Sequence, residues 1–458
     1  MANERLLIIG GVAAGTKAAA IARRKNPSAR ILLLQDEADV SYSGCGLPYH
    51  LAAMERIPRA KLIARTPDAF RADGIDMRTR QRVEEIDAKR GLVTIRDLQE
   101  ARSFTEGYDK LLIATGAYAS PLKALLGATA PPVFYLRSIV DADRISQSLA
   151  GVRKVVILGG GYIGLEMAET FRLLGHQVAV VELMPRVVPN FDPSVSLLVQ
   201  ASLNKNGVEL FLGSGVTELD GGCVLLQNGT RIATDLVLVA TGVRPSTKLA
   251  MAAGVELGQT GAIAVSPQMQ TNLANIYAAG DCAESKHVVS NKAVWMPLGD
   301  VANRHGRVAG INMAGGQAQF PGVLGTAIFQ VFELAVARTG LDDAQALAAG
   351  FSPVSSQVQV PSRARYMRHS KMLQVQLTAD RITGRLLGCQ VVGEDGVDKT
   401  IDVMAAAIWG QLRVFDLPDL DLAYAPPFSP VLAPVQVAGE VLSKLVGERT
   451  QESPPMSL

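Results

Sequence analysis

Apolar and polar positions follow a pattern that occurs twice in the first half of the chain. The apolar runs Arg5–Ile9 and Lys154–Leu158 each end at a cluster of glycines, followed by a helical pattern and another apolar run. A short buried strand, a glycine turn, an amphipathic helix and a second strand form a βαβ unit. A further similarity supports a duplication, because LLIATG at 111–116 resembles LVLVATG at 236–242. The pattern predicts an α/β protein with two Rossmann-like domains.

The pattern changes after about residue 320, where apolar runs without glycine turns predict antiparallel strands and two closing helices. The predicted strands are Ile328–Val336, Leu373–Leu377 and Leu386–Val392, and the predicted helices are Asp398–Gly410 and Val431–Leu445. The mostly polar segment Glu448–Leu458 contains two prolines and is expected to be frayed. We therefore expect a third, C-terminal α+β domain.

Composition narrows the classes of protein. With 458 residues, 48% of them hydrophobic, the chain can bury several cores, and its net charge of +2 does not favour a nucleic acid or an anionic membrane as partner. The four cysteines form no CxxC pair, so neither a disulfide scaffold nor a zinc site is predicted. No apolar run reaches the roughly 18 residues of a spanning helix. We expect a cytoplasmic protein without a metal.

The second glycine cluster, GGGYIG at 159–164, matches a dinucleotide-binding fingerprint. Gly159 permits the tight turn, Gly161 lets the backbone approach a pyrophosphate, and Gly164 allows close packing of helix on strand. Glu182 ends the next strand, where a carboxylate accepts a hydrogen bond from a ribose 2′-hydroxyl. These residues predict a pyridine nucleotide site that favours NADH, although Arg186 nearby could accommodate the 2′-phosphate of NADPH.

The first glycine cluster, GGVAAG at 10–15, departs from the fingerprint because Val12 replaces the middle glycine. The ribose-binding position falls on Gln35 or Asp36, of which Asp36 is favoured as the acid. A third element, IYAAGD at 276–281, is an apolar strand that ends in Gly280 and Asp281. A carboxylate there could accept hydrogen bonds from the ribityl hydroxyls of FAD, so we predict that this unit binds FAD.

The two dinucleotides together are expected to contact the three glycine-containing segments and the residues that flank them. The predicted cofactor-binding residues are Gly10, Gly11, Val12, Ala13, Ala14, Gly15, Gln35, Asp36, Ser41, Ala114, Thr115, Gly116, Gly159, Gly161, Tyr162, Ile163, Gly164, Glu182, Gly242, Gly280, Asp281 and Pro297.

These motifs as a set resemble the two-dinucleotide-binding flavoprotein disulfide reductases over roughly residues 5–445. The chain is most similar to the single-cysteine branch, which contains coenzyme A-disulfide reductase, persulfide reductases, NADH peroxidase and NADH oxidase. The segments that carry the resemblance include SYSGCGLPY at 41–49, GGGYIGLEMAE at 159–169, IYAAGDCAE at 276–284, PLGDVANRHGRVAGINMAGG at 297–316 and DLAYAPPFSP at 421–430. The resemblance implies a flavoenzyme that passes electrons from a nicotinamide to a reactive cysteine.

Cys45 is the candidate redox residue. It precedes a helix that Pro48 can begin, and a helix N terminus stabilises a thiolate, so we expect a lowered thiol pKa. Dithiol members of the family carry a second cysteine at the position of Val40, so no internal disulfide is expected here. An inert buried cysteine is the alternative, and it is the one we favour for Cys223, Cys282 and Cys389.

The resemblance also implies an acid from the C-terminal domain. The dithiol reductases use a His–Pro–Thr segment there, whereas this chain has Ala423–Pro427, in which Tyr424 is expected to reach Cys45 of a partner subunit. A homodimer is therefore expected, and a packed interface tyrosine is the alternative. Tyr366 matches a second family tyrosine, although Met367, Arg368 and His369 replace its usual neighbours Pro and Gly.

Several residues near Cys45 bear on the identity of the substrate. Ala13 stands where oxidase and peroxidase members carry a histidine, and CGLPY at 45–49 resembles the coenzyme A-disulfide and persulfide reductases. Two residues differ from that group: Gly44 replaces the Asn that usually precedes the cysteine, and His50 replaces a Tyr common in the disulfide reductases. Arg23 closes the first helix, together with Arg24 and Lys25, where relatives bind coenzyme A phosphates; the alternative is that these cations only complement the helix dipole on a solvated face. The predicted substrate-binding residues are Arg23, Ser41, Tyr49, Asn303 and Arg307.

We therefore expect NAD(P)H-dependent reduction of coenzyme A disulfide, coenzyme A persulfide or polysulfide, with coenzyme A as a substrate moiety. The alternatives are an NADH oxidase or peroxidase that cycles Cys45 through a sulfenic acid, and a flavoprotein reductase of a protein acceptor. The predicted domains are an FAD domain (1–115 and 251–320), an NAD(P)H domain (116–250) and a C-terminal dimerisation domain (321–458).

Overall fold

The computed structural model describes residues 4–446, so the predicted frayed segment 448–458 lies outside the described residues. Its first sheet has five parallel strands in the order Ile276–Ala278, Lys110–Ile113, Arg5–Ile9, Arg30–Leu34 and Ile75–Arg78. Helices Ala13–Lys25 and Gly299–Met313 pack against each other beside this sheet. Four of the five residues of Arg5–Ile9 are buried, as expected of a strand covered on both faces.

The second sheet repeats this arrangement. Its parallel strands follow the order Val133–Phe134, Leu236–Val239, Lys154–Leu158, Gln177–Glu182 and Val208–Leu212. The helices of this domain are Ile139–Ser148, Tyr162–Leu173 and Pro193–Lys205. The two predicted βαβ units therefore both form, each with its central strand followed by a glycine turn and a helix.

One strand pair joins the two parallel-sheet domains. Ala117–Ala119 pairs antiparallel with Val243–Pro245, where the chain enters and leaves the second domain. The position of this pair is compatible with the predicted insertion, whose limits at residues 116 and 250 stay predictions. The smaller accessory sheets contain Gln81–Asp87, Leu92–Asp97 and Ser103–Gly107 in one case, and Leu125–Leu126, Val216–Asp220, Cys223–Leu226 and Arg231–Ala233 in the other.

The C-terminal domain is built on an antiparallel five-stranded sheet. The strand order is Ala327–Val331, Leu334–Gly340, Leu386–Gly393, Met372–Asp380 and Pro353–Pro361. Its helices are Asp343–Ala348, Val397–Trp409 and Pro434–Val446, with a 3₁₀ helix at Val414–Asp419. Two of the three predicted strands and both predicted helices are confirmed, with bounds that differ by a few residues.

The predicted strand Ile328–Val336 is wrong, because the structure has a hairpin there. The chain reverses at Phe332, which has a φ of 52°, and its backbone N–H donates to Oε2 of Glu169 at 2.8 Å. Lys205 forms an ion pair with Glu333 at 2.9 Å on the same turn. The hairpin is thus held against the second domain, and buried residues of both domains form one continuous core.

The remaining elements are short. They comprise the 3₁₀ helix Gly44–Gly46, the helices Leu47–Ala52, Arg59–Leu62, Pro67–Ala72 and Lys248–Ala252, and the strands Ser285–Lys286 and Ala293–Val294. Among residues 4–446, no helix combines the length and the apolar character that crossing a membrane requires. The same residues contain no group of three or more His, Cys, Asp or Glu side chains that could hold a metal ion.

Candidate active site

The first glycine turn leaves no room for a side chain at Gly10 or Gly15. A Cβ atom at Gly10 would lie 2.1 Å from the carbonyl oxygen of Ala114, and one at Gly15 would lie 1.9 Å from the carbonyl oxygen of Gly10. The following helix starts at Ala13 without a side-chain cap, so its first N–H groups are available to an anion. Val12 in place of the middle glycine leaves this turn intact.

Two equivalent side chains bind the backbones of the two glycine turns. Gln35 is buried, and its Oε1 accepts from the backbone N–H of Gly11 at 2.7 Å. In the second unit, Oε2 of Glu182 accepts from Gly160 N–H, also at 2.7 Å. Asp36 is exposed and pairs with Arg82 at 3.4 Å. The geometry therefore favours Gln35 over the predicted Asp36 as the residue at the ribose position.

The second glycine turn opens onto a large cavity. A Cβ atom at Gly159 would lie 2.4 Å from the carbonyl oxygen of Ala240, whereas one at Gly161 would meet nothing within 4 Å. The cavity has a volume of about 1250 Å³. Among the predicted residues, its lining contains Gly159, Gly161, Tyr162, Ile163, Glu182, Gly242 and Pro297. The open approach to Gly161 and the size of the cavity fit a dinucleotide.

The third predicted cofactor element comes directly against the first glycine turn. A Cβ atom at Gly280 would lie 3.0 Å from that of Ala14. Asp281 is 17% exposed and pairs with Arg137 at 3.3 Å. Burial raises the pKa of the Asp281 carboxyl, and the guanidinium of Arg137 opposes that rise. The predicted FAD-binding segments therefore converge, and they fit a flavin dinucleotide.

Ser41, Thr115 and Gly116 also lie at this convergence. The N–H of Ser41, which has a φ of 49°, donates to the carbonyl of Gly11 at 2.8 Å. Thr115 Oγ1 donates to the carbonyl of Ser246 at 2.7 Å, and Gly116 has a φ of 67°. Ser41 therefore contacts the first glycine turn, and Thr115 and Gly116 lie beside Cys282, the residue after Asp281.

Cys45 lies in the 3₁₀ turn Gly44–Gly46, directly before the helix Leu47–Ala52, and the residue as a whole is exposed although its thiol is partly desolvated. Pro48 occupies the first turn of that helix, as predicted. The other cysteines are less accessible, since Cys282 and Cys389 are buried and Cys223 is half-buried. Cys45 is thus the cysteine that the fold presents to a ligand.

The surroundings of Cys45 raise its thiol pKa, whereas the sequence predicted a lowered one. Partial burial raises the pKa of the thiol, and the carboxylates of Glu166 and Asp281 raise it further, while Arg137 opposes them. The adjacent helix has only six residues and begins two positions after the cysteine, so its dipole is a minor influence. Forming the thiolate therefore needs additional positive charge or a proton acceptor.

Glu166 and Tyr49 are partners beside Cys45. The Tyr49 hydroxyl donates to Oε1 of Glu166 at 3.2 Å, and Thr170 Oγ1 donates to the Pro48 carbonyl at 3.0 Å. Burial raises the pKa of Glu166 to about 7, against the effect of the Tyr49 hydrogen bond. The helix after Cys45 is thereby bound to the helix Tyr162–Leu173, which follows the second glycine turn. Reasoning from sequence missed both Glu166 and Arg137.

Tyr424 and Tyr366 lie together on the C-terminal domain. They are 50% and 78% exposed, and their loops are joined by a hydrogen bond from Ala364 N–H to the Pro426 carbonyl at 3.3 Å. The charged groups that act most on Cys45 are Glu166, Asp281, Arg137 and Asp300, all outside this domain.

Arg23 is engaged by backbone carbonyls, and its role at a coenzyme A phosphate stays a prediction. Its guanidinium donates to the carbonyl of Pro27 at 2.7 Å and to that of Gly74, so it joins the helix end to a neighbouring segment. Asn303 and Arg307 are exposed on helix Gly299–Met313, which packs on the first helix. Those two residues remain accessible to a ligand, whereas Arg23 is already engaged.

Comparisons with known proteins match both the two parallel-sheet domains and the C-terminal domain. The family described as pyridine nucleotide-disulphide oxidoreductase matches residues 4–306, and its dimerisation domain matches residues 326–434. The NAD(P)H sulfur oxidoreductase (CoA-dependent) of Pyrococcus abyssi is 36% identical over 447 residues, which is 96% of this chain and 98% of the relative.

Two solved structures are similar throughout. The reduced CoADR-RHD of Bacillus anthracis has a TM-score of 0.94 and 34% identity, covering 97% of this chain and 81% of that one. The NAD-dependent persulfide reductase of A. fulgidus has a TM-score of 0.91 and 37% identity, covering 95% and 82%. The resemblance and the α/β fold class predicted from the motifs are confirmed. The chain belongs to the pyridine nucleotide-disulphide oxidoreductase family.

Proposed function

We propose that this protein reduces the sulfur–sulfur bond of coenzyme A disulfide or coenzyme A persulfide with a pyridine nucleotide, through Cys45. The observation that carries the proposal is the exposed Cys45 between the segment of Asp281 and the nucleotide-binding helix of Glu166. Family membership implies FAD and a pyridine nucleotide, which the two glycine turns fit. The relatives named for coenzyme A-dependent sulfur reduction support the substrate class.

Cys45 acts as the nucleophile in this reaction, and Tyr424 acts as the proton donor. The thiolate of Cys45 attacks one sulfur of the substrate, which forms a mixed disulfide or a persulfide on Cys45 and releases the first thiolate. Tyr424 of the partner subunit gives that thiolate a proton. When bound, FAD and the nicotinamide would supply the electron pair that releases the second sulfur fragment. Arg137 orients Asp281, and Tyr49 with Glu166 fixes the helix after Cys45.

Product analysis tests this proposal. In the absence of oxygen, NADH oxidation should depend on the coenzyme A disulfide and should yield both thiol products. With oxygen alone, consumption of NADH should be slow, because Ala13 supplies no imidazole beside Cys45. Fast oxygen uptake without a sulfur substrate would instead identify an NADH oxidase.

We expect the enzyme to prefer NADH over NADPH. Glu182 Oε1 and Oε2 accept from the N–H groups of Met184 and Gly160 at 2.8 and 2.7 Å, which holds the carboxylate at the ribose position. A 2′-phosphate there would meet a like charge, so kcat/KM should favour NADH by roughly 10- to 100-fold. Steady-state kinetics with both nucleotides measures this ratio.

Glu182→Gln is the matched variant for this prediction, since it removes the charge and keeps the shape. The ratio of kcat/KM for NADH to that for NADPH should fall toward one in this variant, mainly because kcat/KM for NADPH rises. Arg186 is already engaged with the Pro189 carbonyl at 3.2 Å and is not expected to offset the repulsion. A wild-type enzyme that prefers NADPH would contradict the assignment of Glu182.

We also expect the active site to require two subunits. Mixing Cys45→Ser subunits with Tyr424→Phe subunits should restore activity, because each hybrid dimer contains one site with both residues intact. Random exchange of a symmetric dimer should give roughly a quarter of the wild-type rate. Activity measured after subunit exchange, with the unmixed variants as controls, checks this. No recovery in verified hybrids, or full turnover by monomers, would contradict it.

A further inference from the structure

A strongly basic loop lies between the last two strands of the C-terminal sheet. Residues 362–371 contain five basic side chains. Those near the two ends are neutralised, because Arg363 pairs with Asp395 and Lys371 pairs with Glu394 at 2.5 Å. The ends of the loop are therefore fixed by ion pairs within the domain.

At the tip of the loop, two arginine side chains have no carboxylate partner among the described residues. Arg365, Arg368 and His369 are exposed, and within residues 4–446 neither arginine makes a hydrogen bond or an ion pair. Backbone hydrogen bonds from Met367 to Ala364 at 2.9 Å and from Ser370 to Met367 at 3.1 Å give the tip a defined shape. The tip thus presents two guanidinium groups from an ordered turn.

This tip lies on the same surface as Tyr424. The Ala364 N–H donates to the carbonyl of Pro426, two residues after Tyr424, at 3.3 Å. Exposed apolar side chains continue that surface, with Phe428 and Val431 each 72% exposed. A surface with this content is suited to being covered by a second copy of the chain. A subunit that brings Tyr424 to its partner's Cys45 therefore brings the basic tip as well.

Several cations of the same chain already contact other groups of the protein. Arg137 pairs with Asp281 at 3.3 Å and also donates to the Ala117 carbonyl at 3.2 Å. Arg23 is engaged by backbone carbonyls, and Arg304 pairs with Asp300 at 3.4 Å. A coenzyme A-type substrate carries several phosphate charges, so positive charge beyond that of the exposed Arg307 would strengthen its binding.

We propose that Arg365 and Arg368 of one subunit bind the phosphate groups of a coenzyme A-type substrate held at Cys45 of the partner subunit. The inference rests on the proposed function and on its two-subunit site. Guanidinium groups bind phosphate oxygens in a bidentate geometry that suits an exposed, preformed turn. The loop is then a specificity element, which recognises the substrate away from the sulfur that reacts.

Two disulfide substrates distinguish binding of the phosphate groups from reduction of the disulfide. Coenzyme A disulfide carries phosphates, whereas pantethine has the same disulfide without them. For Arg365→Gln/Arg368→Gln, kcat/KM with coenzyme A disulfide should fall roughly 10- to 100-fold, mainly through KM. The kinetics with pantethine should stay within a factor of about two, within the error expected for a surface change.

Arg381→Gln is the control, because this exposed arginine lies at the opposite end of strand Met372–Asp380. It should leave both substrates unaffected, and sedimentation should show all variants as dimers. Equal losses with the two substrates, or no loss with either, would overturn the inference. Turnover of both substrates by the wild type supports the proposed function independently, so a failure of the loop prediction leaves that function standing.

Discussion

Replacing Cys45 with serine is expected to abolish reduction of coenzyme A disulfide and persulfide. Serine has no sulfur with which to form the mixed disulfide, and its hydroxyl is not ionised at neutral pH, so it cannot replace the thiolate as nucleophile. Reduction of bound flavin by NADH should continue at close to the wild-type rate, because the nucleotide site is unchanged. Anaerobic stopped-flow absorbance and assays of released thiol measure the two half-reactions separately.

Cys223→Ser is the matched control. Cys223 is half-buried in the strand Cys223–Leu226, in an accessory sheet of the second domain. This variant should keep both half-reactions. A Cys45→Ser enzyme that still reduces every disulfide and persulfide at the wild-type rate would contradict the scheme, and it would favour electron transfer to a protein acceptor.

Replacing Tyr424 with phenylalanine is expected to slow turnover by up to about 10²- to 10⁴-fold, the usual effect of losing a general acid. Without the phenol, the departing thiolate must take its proton from water. The variant should retain FAD and dimerise normally, because the side chain is 50% exposed and its hydroxyl makes no hydrogen bond within residues 4–446. The pH dependence of kcat, measured alongside flavin content, checks this result.

Tyr366→Phe provides the comparison, since Tyr366 lies on the adjoining loop and is 78% exposed. It should have the smaller effect on the rate. If Tyr366→Phe lost activity while Tyr424→Phe kept it, the proton donor would be Tyr366 and the present assignment would be wrong.

The parallel-sheet domains could be predicted because their determinants are local. A glycine is required at Gly10 and Gly159 by positive φ angles of 109° and 110° and by carbonyls that approach closely, so the turn is visible in the sequence. The hairpin at Phe332 was missed for the opposite reason. No glycine or asparagine marks that turn, which is held by Glu169 from another domain.

The electrostatics of the site could not be predicted from the sequence around Cys45. Glu166 and Asp281 lie more than 100 residues away along the chain, and only the fold brings their charges to the thiol. Arg23 shows the same limit, because its position at a helix end is visible in the sequence, whereas its contact with the Gly74 carbonyl, in a distant segment, is not.

The most direct test of the central claim is the mass of the intact protein through one cycle. When Cys45 has been reduced to the free thiol and the reductant removed, mixing with coenzyme A disulfide should leave one adduct of coenzyme A size on Cys45 of each chain and release one equivalent of coenzyme A thiol. Addition of NADH should then remove the adduct and release one equivalent of coenzyme A thiol. An adduct on another residue, or one on Cys45 that persists while NADH reduces the flavin, would contradict the account.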